Sequence, residues 1–240
     1  MFQTFFYQPI FNLLIFLYDF IPGHDLGVVI IVLTIIIKLI LFPLSKQSIK
    51  SQKALQDLQP KIDELKKKYA DNKEEMGRAM MELYKQNKVN PFSSCLPLLI
   101  QLPFLYAVFM VFRAGLKNGS LSMVYSFIPK PESINPIAFG FVNLSAPNIV
   151  LAVAAGLAQF WQAKMMMTRK AELDVKESQD ENMMAMMNKQ MLYFMPALTV
   201  FIGMTLPGGL SLYWFITTAL TALQQLYIFK HQEKNQKVAA

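Results

Sequence analysis

Acidic side chains are absent from every long apolar stretch of this 240-residue sequence. The stretches are 26–44, 93–112, 148–167, 190–206 and 210–229, and together they carry two charges, Lys38 and Lys164. Catalytic groups are as scarce. The two histidines, His24 and His231, lie outside these stretches, and no HExxH, GxSxG or phosphate-loop pattern occurs. Leu206-Pro207-Gly208-Gly209 lacks the Lys-Ser/Thr that a phosphate loop needs. The lone cysteine, Cys95, cannot form an internal disulfide. No internal repeat of the secondary-transporter kind is visible. An enzyme is therefore not expected, and no metal or other cofactor is implied.

What is present is apolar surface arranged in blocks. Hydrophobic residues make up 54% of the chain and charged residues 16%, too little polar surface for a soluble domain of this size. A bilayer core of about 30 Å needs roughly 20 residues of helix. The five stretches approach that length, so the expected fold is an all-α integral membrane protein of five transmembrane helices. The spans are expected at 23–45, 93–112, 148–167, 190–206 and 210–229, with Pro207, Gly208 and Gly209 forming a tight turn between the last two.

The basic residues set the orientation. Eleven Lys/Arg fall in 45–91, five in 164–189 and three after Phe229, against none in 1–25 and three in 113–147. The positive-inside rule then places 46–92, 168–189 and the tail 230–240 in the cytoplasm, with the N-terminus and the 113–147 loop outside. The net charge of +7 is read first as this topology signal, with nucleic-acid binding a minor alternative and DNA not expected as a partner. Residues 1–22 are expected to form an external interfacial helix, with a sixth span as the alternative.

Between the first two spans, Leu55, Leu58, Ile62, Leu65 and Tyr69 follow the 3-4 spacing of a heptad seam, and Met76, Met80 and Leu83 resume it after a polar break. This predicts a helical hairpin, kinked at Pro60. It reads either as a solvated connection or as a Met-bearing docking device.

Lys38 is the most informative residue. A cation in mid-span costs about 2.5–3.5 kcal/mol on insertion scales. Snorkelling to the interface is one resolution and a hydrated cavity the other. Thr34 lies one turn earlier on the same face. Trp214, Thr217, Thr218, Thr221 and Gln225 share one face of the last span. Gln101, Gln159 and Gln162 add polar groups in the second and third. Singly such residues read as glue between helices; around an unpaired cation they suggest a polar groove.

Three runs carry a resemblance: LTIIIKLILFPLSKQSIKSQKALQDLQPKIDELKKKY, NPFSSCLPLLIQLPFLYAVF and LPGGLSLYWFITTALTALQQLYIF. Over about residues 20–230 the sequence resembles the YidC-type membrane insertases. The resemblance implies a membrane protein insertase and chaperone of the bacterial cytoplasmic membrane, with a hydrophilic groove open to the cytoplasm and to lipid. A groove cation would attract acidic residues of a substrate's translocated tail. It implies Lys38, Thr34, Gln101, Gln162 and Trp214 as groove residues, with Tyr213 as a neighbour. The implied partners are nascent membrane proteins with short translocated tails, the ribosome, the Sec translocon for some substrates, and the lipid bilayer. Lys38 stands where the family usually has arginine, and a buried lysine can lose its proton where arginine does not. The large external domain of many Gram-negative members and the lipoprotein-type leader of Gram-positive ones have no counterpart here, so a short form is expected. A small-solute transporter and a purely structural assembly factor are the competing readings.

Overall fold

The computed structural model describes residues 1–70, 72–90, 96–115, 123–166 and 190–239. Cys95, the start of the 93–112 stretch and the 168–189 loop lie outside the described residues. The chain is mostly helical. After a π-helical turn at Gln3–Tyr7 come α1 (Gln8–Phe20), α2 (Leu26–Ile40), α3 (Phe42–Asp57), α4 (Gln59–Lys68) and α5 (Lys73–Gln86). Then follow α6 (Leu96–Met110), a two-stranded antiparallel hairpin of β1 (Ile137–Ala138) and β2 (Val142–Asn143), and α7 (Ile149–Met166). The last elements are α8 (Met195–Gly203), entered through a π-helical turn at Gln190–Phe194, and α9 (Gly208–Ala239).

α7 is an unbroken helix of a length and apolarity that can cross a bilayer. α2 and α3 meet that test only together, as a pair bent by 70°. The cause is local. Asp25 starts α2 by accepting the Gly27 and Val28 amides at 2.8 and 3.1 Å, satisfying two donors that a helix start leaves free. Pro43, in the first turn of α3, has no N–H to offer the Leu39 carbonyl, and its ring crowds that turn. The first span, expected to run to 45, therefore breaks at Leu41. Pro103, by contrast, sits inside α6, and Pro196 occupies the first turn of α8, a position that tolerates it.

In the hairpin, α3 gives way to α4 at Leu58, with Pro60 in the first turn of α4. α4 packs against α5, whose start is capped by the Asn72 side chain accepting the Glu75 amide at 3.2 Å. The strand pair has no signal in hydropathy, each strand being two residues long.

One packed layer joins α1, α2, α6 and the first turns of α9: Phe11, Ile15, Leu26, Ile30, Ala107 and Leu210 are all buried. A second seam runs through α7, which packs on α8 and α9. Its small residues Ala152, Ala155 and Gly156 permit the approach, and a Cβ on Gly156 would collide with Val200. Gly209, in the first turn of α9, is covered by the Phe112 ring and has no room for a side chain.

α1 is two-faced. Phe11, Leu14, Ile15 and Tyr18 are buried, and Phe16 and Phe20 stack on one another on the exposed face. Asn12, which interrupts the apolar run, is buried and satisfied. It donates to the Gln8 and Met123 carbonyls at 2.8 and 3.1 Å and accepts the Tyr125 amide at 2.7 Å.

Candidate functional site

The early end of α2 changes the position of Lys38. It lies in the last turn of the helix, two residues before its final residue, Ile40. There the free carbonyls carry partial negative charge that favours a cation by about 0.3–1 kcal/mol. Lys38 is nevertheless 9% exposed, and its ammonium turns inward across the bundle. Its Nζ donates to Thr221 Oγ1 of α9 at 2.7 Å, and that hydroxyl donates to the Thr217 carbonyl at 2.7 Å. Among the described residues no carboxylate pairs with Lys38. Two ion pairs, Lys53–Asp57 at 2.9 Å and Arg78–Glu74 at 2.7 Å, lie in the hairpin.

Beside Lys38 an open cleft of about 460 Å³ runs between the end of α2 and α9. Ile35, Leu39, Phe42, Leu220, Leu223 and Tyr227 give it apolar walls; Lys38 and Gln224 are the polar groups on it. Leu39, Leu223 and Tyr227 are each more than half exposed, so the cleft opens sideways out of the bundle.

Below Lys38 lies a cluster of amides. Gln52, one turn before Gln56 on α3, meets Gln225 of α9, the neighbour of Gln224. Gln225 Nε2 donates to Gln52 Oε1 at 3.4 Å, and Gln56 Nε2 donates to the carbonyl of Met166, the last residue of α7, at 3.2 Å. The side-chain oxygens of Gln56, Gln224 and Gln225 are buried without a hydrogen-bond partner among the described residues. Each such acceptor costs about 1–3 kcal/mol if kept dry, so these three sites on α3 and α9 favour hydration. Lys53, over the Phe229 ring at 5.5 Å, adds a further tie between α3 and α9.

The six residues expected to line a groove are distributed as follows. Lys38 alone lines the cleft. Thr34 is buried, and its hydroxyl donates to the Ile30 carbonyl of its own helix at 2.6 Å. Gln101 and Tyr213 form a pair, the amide donating to the phenol oxygen at 2.6 Å, which joins α6 to α9. Trp214 is half-buried on α9, and Gln162 is half-buried near the end of α7. Gln159 accepts a hydrogen bond from the Thr199 hydroxyl, tying α7 to α8. Thr221, Gln224, Gln225, Gln52 and Gln56 were not among the expected site residues. Thr221 and Gln225 stood in the polar row of the last span, but Gln52 and Gln56 lie in a segment whose charge reads as a solvated face.

Comparison with known proteins adds the family. The model of the 60Kd inner membrane protein family matches residues 16–236. A membrane protein insertase YidC of Fusobacterium nucleatum is 35% identical over 206 residues, covering 86% of this chain and 87% of that protein. A membrane protein insertase YidC 1 of Listeria monocytogenes is 35% identical over 227 residues, covering 91% of this chain and 70% of that one. A membrane protein insertase YidC of Geotalea daltonii is 35% identical over 227 residues, but this chain spans only 37% of its length.

Proposed function

The chain belongs to the 60Kd inner membrane protein family as a protein of the cytoplasmic membrane, and from that premise we propose that it is an insertase. In this reading five helical segments, the bent α2–α3 pair supplying the first, surround a groove that faces the cytoplasm and opens to lipid. The observation that carries it is Lys38: a buried cation without a carboxylate partner among the described residues, beside a side-opening cleft and above a hydration-prone amide cluster. An acidic tail entering from the cytoplasm supplies the missing partner. Its polar backbone exchanges water for Lys38, Thr221 and the glutamines instead of facing hydrocarbon, where each unmet polar group costs several kcal/mol. The apolar segment that follows leaves through the side of the cleft, over Leu39, Leu223 and Tyr227. No bond is made or broken, so the work is chaperoning and insertion without chemical catalysis.

Thr34, Gln101, Gln162, Tyr213 and Trp214 extend the polar path between the helices. The N-terminus lies outside and the C-terminus inside, in keeping with the basic hairpin. Substrates are nascent membrane proteins with short translocated tails, delivered by the ribosome or shared with the Sec translocon.

The test is insertion of a single-span substrate with an acidic N-terminal tail into proteoliposomes holding only this protein. Wild type and Lys38→Arg insert it, Lys38→Glu does not, and neutralising the tail acids removes the dependence on Lys38. Equal insertion by all variants would remove Lys38 from the mechanism. No insertion above empty liposomes by folded protein would overturn the insertase reading in favour of transport or structural assembly.

A further inference from the structure

The β1–β2 hairpin has a feature that its fold does not require. Its turn, Phe139-Gly140, has φ of +54° and +81°, the left-handed pair of a tight hairpin turn, which ordinarily takes Asn-Gly. Phe139 is accounted for: its ring lies against Gly27, where a Cβ would come within 2.6 Å of it. Phe141, whose amide closes the turn on the Ala138 carbonyl, is 83% exposed.

This phenylalanine is held out on a rigid frame. The Phe139 amide donates to Asp25, the cap of α2. Gly208 and Gly209, at the start of α9, donate to the carbonyls of Ala146 and Leu144 at 2.9 Å. Asn148 accepts the Leu151 amide at the start of α7. Three helices thus begin at this hairpin, one of them the unbroken span α7. The first residues of α7 continue the apolar surface outward, Ile149 being 61% and Val150 71% exposed. Residues 133–148 contain no charged side chain. The nearby amide oxygen of Asn143 is already occupied by the Ser145 amide and hydroxyl, at 3.0 and 2.7 Å.

We propose that the 137–143 hairpin is a membrane-seated wedge, with Phe141 inserted at the glycerol–acyl boundary of the leaflet at this end of the bundle. Lipid is the fitting partner because the surface is apolar, uncharged and continuous with the exposed flank of α7. Phenylalanine has no polar group to hold it among the headgroups, as tyrosine or tryptophan would have. The wedge fixes the depth at which α2, α7 and α9 begin.

The test uses Cys95→Ser protein in phosphatidylglycerol/phosphatidylethanolamine vesicles, spin-labelled at Phe141→Cys or at Ser145→Cys. Ser145 is an exposed polar position of the same loop. Phe141 is so exposed that its removal breaks little packing, and matched thermal unfolding of the two variants checks this. Expected is a several-fold lower collision rate with a water-soluble nickel chelate at 141 than at 145, with a higher rate for oxygen, which concentrates among acyl chains. Equal, water-like rates at both positions would overturn the proposal. So would spectral broadening at 141 that disappears on dilution with unlabelled protein, which would assign the surface to a second copy of the chain.

Discussion

The two ends of the helical bundle treat buried polar groups in opposite ways. At the loop-capped end, where α2, α7 and α9 begin, such groups are matched. Asn12 makes three hydrogen bonds, Asp25 serves two helix-start amides and Phe139, and Tyr18 Oη accepts the Asn135 amide at 2.9 Å. At the hairpin end, Lys38 has a hydroxyl for a partner and three glutamine oxygens have none among the described residues. Same chain, same helices, yet one end is closed by its own hydrogen bonds and the other leaves room for those of something else. A membrane protein can leave polar atoms unmatched where water or a polar guest reaches them; elsewhere they would destabilise it.

The comparison can be broken at either end. The largest stability effect should come from Asn12→Leu, which strands the Tyr125 amide and loosens the 123–135 loop. We expect a loss of about 2–3 kcal/mol in denaturant unfolding from micelles; a neutral result would mean that this end is wet as well. Asp25→Ala should cost about 1–2 kcal/mol through the lost helix cap. It should also speed hydrogen exchange at the Phe139 amide, and unchanged exchange there would show that the hairpin is held by other contacts.

At the hairpin end the same kind of change should do little to stability. Gln225→Leu is expected to shift unfolding by less than about 1 kcal/mol, because the amide it removes was poorly matched. A loss as large as that of Asn12→Leu would erase the contrast. The smallest stability effect is expected for Lys38→Met, within about 1 kcal/mol of the parent or slightly stabilising, since removing a poorly paired buried charge also removes its desolvation cost. Insertion of an acidic-tailed substrate should fall to background in that variant. Retained insertion would separate the cation from the function; a collapse of stability would make Lys38 a structural residue.

How much of this was legible in the sequence depends on the range of the forces involved. The heptad seam of 55–69 falls across the last turn of α3 and α4, broken at Leu58, and its resumption at Met76 falls on α5, because periodicity is local. Of the polar row on α9, Thr217, Thr218 and Gln225 are buried, while Trp214 and Thr221 are half-buried. The break at Leu41 was harder to see: hydropathy runs unbroken to Leu44, and the effect of Pro43 on the turn before it is steric. That miss made Lys38 look like a mid-span charge. Its partner, Thr221, is 183 residues away and set by helix packing that no local pattern encodes. The glutamines of α3 were obscured by the lysines around them. The 137–143 hairpin is too short for a period-2 signal.

The 70° break has a mechanical consequence. α2, with 15 residues at about 1.5 Å each, rises only about 22 Å, well short of a hydrocarbon core of about 30 Å. Surrounding acyl chains must compress or tilt to meet its ends, at a modest cost for each ångström of mismatch. That deformation is concentrated where the helix stops, beside Lys38 and the side-opening cleft. On the proposed reading, a polar segment arriving there would meet a bilayer thinned by the protein's own geometry. The same helix should therefore deform thick membranes more than thin ones.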